Sequence, residues 1–222
     1  MGATHNVSGG LISANVSALT ALADGRLAAG CGDGTVRVVD VPVDAPVAMV
    51  MVLSGHTGRV MALVVLPDGR LASGSWDGSV RVWDLSMRVC VATLVRRGGC
   101  MTELAVLADG RLASGGGVDG RVRLWDLSTA TCVGVLAGHT TAVTAMAALP
   151  DGRLASGSHG CTIRLWSLQR EAGSRMAEGS ATEMVLGRQV SGTYALVTLP
   201  DGRLASSDGE GVRLWLPPPL AP

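Results

Sequence analysis

Three side chains of this sequence have the types that form a nucleophilic catalytic triad. His56, Ser73 and Asp77 lie close together along the chain, and in such a triad a histidine takes the proton of a serine while a carboxylate orients the imidazole. Ser73, however, lies in an apolar segment typical of a strand, without the sharp turn that exposes a nucleophile or the donors of an oxyanion hole. The pattern therefore favours a structural role, and we expect no catalytic residue.

The cysteines show neither a metal pattern nor a disulfide pattern. The chain has five of them, and none forms a Cys-x-x-Cys pair. Zinc sites and disulfide frameworks normally show paired, regularly spaced cysteines. We therefore expect no bound metal and no cofactor. Unpaired thiols are typical of a reducing compartment, which predicts an intracellular protein, cytoplasmic or nuclear.

Charge and apolar content exclude several classes of protein. The 18 basic residues are all arginine and balance 18 acidic residues, whereas nucleic-acid binders normally carry a basic surface. Hydrophobic residues make up 47% of the chain, too many for a disordered protein. They occur in short runs that a membrane-spanning helix could not use, and the first ten residues lack the pattern of a secretory signal. We expect a folded domain with neither a nucleic-acid nor a membrane partner.

A repeat runs through almost the whole sequence. The tetrapeptide Asp-Gly-Arg-Leu occurs five times, at intervals of 44, 41, 42 and 50 residues. Its copies begin at Asp24, Asp68, Asp109, Asp151 and Asp201. An apolar block follows each copy, centred on Val39, Trp83, Trp125, Trp166 and Trp215. Repeats of about 40–45 residues are typical of propeller blades.

Each unit reads as four short strands joined by turns. In the second unit the predicted strands are 60–66, 70–75, 79–85 and 88–95. The turns Pro67-Asp68-Gly69 and Asp77-Gly78 separate the first three, and such Gly-containing turns are typical of hairpins. A four-stranded unit repeated at this interval predicts a β-propeller in which each unit is one blade.

The segment GSWDGSVRVWDL at 74–85, preceded by Gly55 and His56, resembles the WD-repeat β-propeller family. The resemblance covers five units and implies an all-β propeller of four-stranded antiparallel blades. We expect a single domain over 1–222. Its predicted blades are 11–54, 55–95, 96–137, 138–185 and 186–216, with a Pro-rich tail at 217–222.

The resemblance also implies a hydrogen-bonded set in each blade: a His before the first strand, a Ser in the second, the Asp of the next turn and a Trp in the third. Blade 2 matches fully, with His56, Ser73, Asp77 and Trp83. Blade 3 has Ser114, Asp119 and Trp125, with Arg97 in place of the His, and we expect an Arg97–Asp119 contact. Blade 4 has His139, Ser156 and Trp166, with Gly160 in place of the Asp.

Five units are fewer than the seven blades that the resemblance implies, which leaves three arrangements open. The chain closes as a five-bladed ring, forms an arc of a larger propeller, or is complemented by a second chain, with self-association in the last case. The proline-rich end favours closure, because it cannot supply an ordinary strand, whereas 3–10 could do so. We interpret 169–184, which lengthens the fourth interval, as an irregular rim loop in place of an outer strand.

Some side chains lie outside the repeat pattern and are candidates for binding. Trp76 precedes the turn residue Asp77, and that turn lies at the same end of a propeller as the loops leading into the blades. Tryptophan and arginine are enriched in interaction hot spots. The predicted partner-binding residues are Arg59, Trp76, Arg96, Arg97 and His159. We expect them to hold an acidic or phosphorylated segment of another protein.

The resemblance therefore predicts a non-catalytic scaffold that binds proteins or peptides. One alternative is a substrate-recognition subunit of a ubiquitin ligase or a similar complex. Against it, Ser86 and Ser128 stand where the family's docking arginine would follow the Trp-Asp pair. A propeller hydrolase is less favoured, because a metal-dependent site needs several converging His or carboxylate side chains and the sequence has four His.

Overall fold

The computed structural model describes residues 15–41, 48–95, 99–168 and 182–219. These residues form nineteen strands and no helix. Blades 1 and 2 contain β1 (Val16–Ala21), β2 (Leu27–Cys31), β3 (Val36–Asp40), β4 (Ala48–Leu53), β5 (Val60–Val65), β6 (Leu71–Ser75), β7 (Ser79–Asp84) and β8 (Val89–Val95). Blades 3 and 4 contain β9 (Glu103–Val106), β10 (Leu112–Gly115), β11 (Val122–Asp126), β12 (Thr131–Leu136), β13 (Val143–Ala148), β14 (Leu154–Ser158), β15 (Thr162–Ser167) and β16 (Thr182–Arg188). Blade 5 contains β17 (Ala195–Thr198), β18 (Leu204–Ser207) and β19 (Val212–Trp215).

Each blade is an antiparallel sheet whose strands pair in chain order. Blades 1 to 4 have four strands and blade 5 has three among the described residues. This confirms the predicted all-β class and the four-stranded antiparallel blade. The outer strand of blade 4, β16, includes 182–184, which the sequence assigned to an irregular loop, and it ends at Arg188 rather than at 185. Of the predicted rim loop, 169–181 lies outside the described residues. No described segment is a helix that could span a membrane.

The repeated Asp-Gly-Arg turn joins the first two strands of every blade. In blade 2 the Asp68 carboxylate accepts hydrogen bonds from the backbone N–H of Arg70 at 3.0 Å and from its guanidinium at 2.7 Å. Gly69 has a φ of 85°, a conformation that side chains strongly disfavour. The same tripeptide therefore makes the same tight turn five times, which explains why it recurs in the sequence.

The core lies between the blades. Each sheet has a first face, which packs on the preceding blade, and a second face, which packs on the following one. Val38 of blade 1 packs in one cluster with Leu71 and Trp83 of blade 2, and Val82 of blade 2 packs with Leu104 of blade 3. Such contacts bury apolar area at roughly 25 cal/mol per Å². Blade-to-blade packing is therefore the main stabilising interaction of the fold.

Two kinds of polar contact also join neighbouring blades. A hydroxyl on or just before the innermost strand donates to a carbonyl of the next blade, as Thr102 does to Val143 at 2.9 Å and Ser17 does to Val60 at 2.7 Å. At the opposite end of the blade, the arginine of the Asp-Gly-Arg turn also donates to a carbonyl of the next blade. The Arg153 guanidinium donates to the carbonyl of Pro218 at 2.8 Å. These bonds add directional contacts to the apolar interface.

The described blades form an open arc. β1 packs on β5, β5 on β9, β9 on β13, and β13 on β17. Within the described part of the chain, no extensive packing joins β17–β19 to the strands of blade 1. Closure of the ring, which the termini favour, is therefore not seen among these residues. The segment 3–10, which could supply the outer strand of the last blade, lies outside them.

Candidate functional site at the upper end of the blades

The turns between second and third strands and the loops that lead into the blades lie at one end of the arc, which we call the upper end. The backbone N–H of Trp76 donates to the carbonyl of Arg59 at 2.9 Å. In blade 4 the N–H of His159 donates to the carbonyl of Ala142 at 3.1 Å. Each turn is thus fastened to its own leading loop, so that side chains from both segments share one surface.

Blade 2 contains a complete chain of hydrogen bonds beneath this surface. The indole N–H of Trp83 donates to Ser73 Oγ at 2.7 Å, and Ser73 Oγ lies 2.8 Å from His56 Nε2. His56 Nδ1 lies 2.9 Å from an Asp77 carboxylate oxygen, which also accepts from the N–H of Thr57. The four residues named by the resemblance are therefore bonded together, and they fasten the turn to the second and third strands.

The protonation of this chain follows from its donors and acceptors. Desolvation, which raises the pKa of Asp77, is outweighed by hydrogen bonds from Ser79, Thr57 and His56, and the result is a pKa of about 2. An ionised carboxylate only accepts, so His56 Nδ1 must carry a proton. Burial lowers the pKa of His56 despite the nearby carboxylate. The imidazole is then neutral, and its bare Nε2 accepts the hydroxyl proton of Ser73.

This arrangement gives Ser73 no catalytic geometry. Its side chain is fully buried, and its oxygen already accepts the indole N–H of Trp83. A nucleophile must reach a substrate carbonyl, and this hydroxyl faces the interior of the blade. Ser73, His56 and Asp77 therefore have a structural role in blade 2. Together with Trp83 they form a hydrogen-bonded set that we call the lock. Among the described residues, no group of three or more His, Cys, Asp or Glu side chains is arranged to hold a metal ion.

Blade 4 keeps the lock, but its His contacts a hydroxyl that was not among the predicted residues. Ser156 Oγ lies 2.7 Å from His139 Nε2 and accepts from the Trp166 indole at 2.8 Å. Gly160 offers no carboxylate, and His139 Nδ1 lies instead 3.0 Å from the hydroxyl of Thr162. Burial lowers the pKa of His139 to about 4, so this imidazole is neutral too. The signal that could have identified Thr162 is Ser79, which occupies its position in blade 2.

Blades 3 and 5 keep only parts of the lock. In blade 3 the Trp125 indole donates to Ser114 Oγ at 2.8 Å. The Asp119 carboxylate lies 3.1 Å from the Arg123 guanidinium. Arg97, the predicted partner of Asp119, lies outside the described residues. In blade 5 Gln189 replaces the His and donates to Ser206 Oγ at 2.7 Å.

Arg59 and Trp76 are in direct contact at the upper end. The Arg59 guanidinium carbon lies 5.7 Å from the Trp76 ring centre, within range of a cation–π interaction. Trp76 is 52% exposed. The Nε atom of Arg59 is buried without a hydrogen-bond partner among the described residues. The pair therefore combines exposed aromatic area with an incompletely satisfied cation.

Two further side chains occupy the position of Trp76 in other blades. His159 is exposed on blade 4, with its Nδ1 beside Gly192. Val118, on blade 3 between them, is 90% exposed and is the most exposed large apolar side chain among the described residues. Val118 is not among the predicted binding residues, because an isolated valine in a turn carries no chemical signal. Arg96 and Arg97 lie outside the described residues, so the structure does not place them with this group.

The upper-end carboxylates are largely paired within their own blades. Asp33 contacts the Arg37 guanidinium at 2.8 Å, and Asp119 contacts that of Arg123. Asp77 is held by His56. Arg59 makes no ion pair with any described residue, which leaves its charge available on the surface next to Trp76.

The antiparallel sheets, their stacking and the buried Trp–Ser–His locks define a WD-repeat β-propeller. A comparison with protein families supports this class, because the family described as WD domain, G-beta repeat matches residues 5–40, 48–84, 88–126 and 130–167. The chain therefore belongs to the WD40 repeat family. The match supports the general role of this family, a scaffold for protein interactions. A search among curated proteins found no match.

Proposed function

We propose that the chain binds a segment of a partner protein at its upper end. The binding surface consists of Arg59, Trp76, Val118 and His159, and we retain Arg96 and Arg97 in the proposal on the strength of the sequence alone. The observation that carries the proposal is the half-exposed Trp76 under the Arg59 guanidinium. Tryptophan and arginine are the residues most enriched where binding energy concentrates.

The turn that carries Trp76 is held by hydrogen bonds within its own blade. The N–H of Asp77 donates to Ser75 Oγ at 3.1 Å, and the N–H of Gly78 donates to the Ser75 carbonyl at 3.1 Å. The His56–Asp77 contact fixes the same turn from below. A partner therefore meets an indole whose backbone is already ordered, which lowers the entropy cost of binding.

The charge of this surface favours an acidic or phosphorylated segment. Arg59 is held over the indole and lacks an ion-pair partner among the described residues. A phosphate or carboxylate oxygen satisfies such a guanidinium with charge-assisted hydrogen bonds. The indole and Val118 supply apolar contact for side chains next to the acidic group.

A peptide array tests this proposal. The purified chain is applied to peptides that contain acidic residues, phosphorylated Ser or Thr, or neutral replacements at the same positions. We expect retention on the acidic and phosphorylated sets that falls with added salt and is lost in Arg59→Gln. Equal retention on the neutral set, or on all sets by Arg59→Gln, would contradict the proposed specificity.

The alternative, a substrate-recognition subunit of a ubiquitin ligase, would use the same surface and is not favoured by a separate observation. At the positions of the family's docking arginine, Ser86 Oγ donates to Asp84 at 2.6 Å and Ser128 Oγ donates to Asp126 at 2.6 Å. Both serines close turns of their own blades. We propose an intracellular location, which the five unpaired cysteines support.

A further inference from the structure

The second face of blade 5 is a blade interface without a following blade among the described residues. In the third strands of blades 1 to 4, the side chains equivalent to Val212 are fully buried against the next blade; they are Val36, Val80, Val122 and Ile163. Val212 itself is 73% exposed. The side chains equivalent to Leu214 are at most 2% exposed, and they are Val38, Val82, Leu124 and Leu165, whereas Leu214 is 57% exposed. Blade 5 thus keeps the apolar residues of an interface for which the described residues supply no partner.

Blade 5 also carries polar side chains at the positions that make inter-blade contacts elsewhere. Tyr194 stands at the position of Ser17, Thr102 and Thr144, whose hydroxyls donate to a carbonyl of the next blade. The Tyr194 side chain is 62% exposed. Arg203 corresponds to Arg111 and Arg153, which are 6% and 7% exposed and donate to carbonyls of the following blade. The Arg203 side chain is 45% exposed.

Blade 1 presents the matching first face. Leu19 lies at the position of Leu63, Leu104, Met146 and Leu196, which pack on the preceding blade. Leu19 is 63% exposed. The carbonyl of Val16 corresponds to those of Val60 and Val143, which accept the inter-blade hydroxyl bonds. The carbonyl of Val41 corresponds to that of Leu168, which accepts from Arg111.

We propose that a second copy of this chain docks head to tail, with the first face of its blade 1 on the second face of blade 5. The occupant is a second copy because one molecule carries both halves of an interface that the chain already forms four times between its own blades. Leu19 of one copy packs beside Val212 and Leu214 of the other. Tyr194 lies beside the carbonyl of Val16, and the Arg203 guanidinium donates to the carbonyl of Val41. Such an interface is heterologous, so it yields a closed ring or an extended stack of copies. This inference does not depend on the peptide-binding proposal.

The test measures molar mass by sedimentation velocity and light scattering on the full chain at increasing micromolar concentration. The variants are Leu214→Asp on blade 5 and Leu19→Asp on blade 1. Met87→Asp, at a 68% exposed apolar residue in a turn at the opposite end from Trp76, is the control. Circular dichroism verifies that each variant keeps its strands. We expect oligomers of the wild type and of Met87→Asp, and monomers of the two face variants.

Mixing the two face variants gives the decisive reading. Leu214→Asp retains an intact blade 1, and Leu19→Asp retains an intact blade 5, so an equimolar mixture restores one interface and should form a heterodimer. Three results would overturn the proposal: a monomeric wild type, a mixture that stays monomeric although the wild type associates, or a face variant that still associates by itself. The first would show that nothing, or another part of the same chain, covers the face, and the last would indicate a different interface.

Discussion

His139 Nδ1 lies 3.0 Å from the hydroxyl oxygen of Thr162, whereas its counterpart in blade 2, His56 Nδ1, meets the carboxylate of Asp77 at 2.9 Å. The buried histidine therefore has a different hydrogen-bond partner at Nδ1 in each of the two blades. When the carboxylate is missing, the Nδ1–H of a neutral imidazole has no hydrogen-bond acceptor. Burial of such an unpaired donor costs about 1–3 kcal/mol. The Thr162 hydroxyl removes that cost without supplying a charge.

Restoring the carboxylate should stabilise blade 4. Gly160 does not have a positive φ, and a Cβ there would lie 3.0 Å from Thr141 Oγ1, a buried hydroxyl without a hydrogen-bond partner among the described residues. In Gly160→Asp the new carboxylate can accept from both Thr141 and His139. We expect the free energy of unfolding in urea to rise by about 1–2 kcal/mol. Gly160→Ala supplies the Cβ alone, and equal stability of the two variants would show that the carboxylate forms neither bond.

The neutral His139 should make the protein sensitive to mild acid. Burial lowers its pKa from 6.5 to about 4, so the unfolded chain binds a proton in this range and the folded chain does not. The stability that this histidine supports is complete above pH 6.5 and is lost as pH falls towards 4. The loss attributable to His139 should be about 2–3 kcal/mol.

The variant His139→Gln tests this dependence, since Gln189 already fills the same position in blade 5. Urea unfolding of the variant at pH 7 and pH 4.5 should show a smaller difference than in the wild type. His159→Gln, at an exposed histidine, is the matched control and should keep the wild-type difference. An unchanged pH dependence in His139→Gln would contradict the neutral, buried state of this imidazole.

Glu103 should destabilise the protein at neutral pH. It stands where the other innermost strands have alanine, at Ala18, Ala62, Ala145 and Ala195. Burial raises its pKa to about 7 from 4.5, so the unfolded chain ionises in this range while the folded chain still holds a proton. The destabilisation is absent below pH 4.5 and complete above pH 7.

Replacing Glu103 by Gln should therefore raise the free energy of unfolding by roughly 1–3 kcal/mol at pH 8 and leave it unchanged at pH 4.5. Glu210→Gln, at an exposed carboxylate, should alter neither value. The measurement is urea unfolding at the two pH values. A gain of the same size at both would indicate a packing effect rather than a desolvated charge.

The strands and turns could be predicted because each depends on local chemistry. The Asp68-Gly69-Arg70 turn forms its bonds within three residues, and the repeat displays it five times. The contact between Arg59 and Trp76 was harder to predict from the sequence. Both residues were nevertheless predicted to bind a partner, because their segments share one end of a propeller. The contact itself depends on side-chain conformations that a sequence pattern does not specify.

Other features depend on geometry between distant segments. Thr162 replaces a carboxylate expected at Gly160, and only the position of the His139 ring shows that a hydroxyl two residues further on reaches Nδ1. The open arc depends on packing between strands far apart in the sequence, which a repeat pattern does not specify. Leu214 is exposed because no following blade packs on blade 5 among the described residues.

In the proposed function, Trp76, with Arg59 above it, provides the binding energy for a partner segment. The most direct test is calorimetric titration of the strongest acidic or phosphorylated peptide from the array into the wild type, Trp76→Ala and Met87→Ala. The last variant removes a large exposed side chain from the same blade at its other end. We predict that Trp76→Ala weakens binding by about tenfold or more, equivalent to about 1.4 kcal/mol, while Met87→Ala binds as the wild type. Equal affinity of Trp76→Ala and the wild type would show that Trp76 does not provide this binding energy.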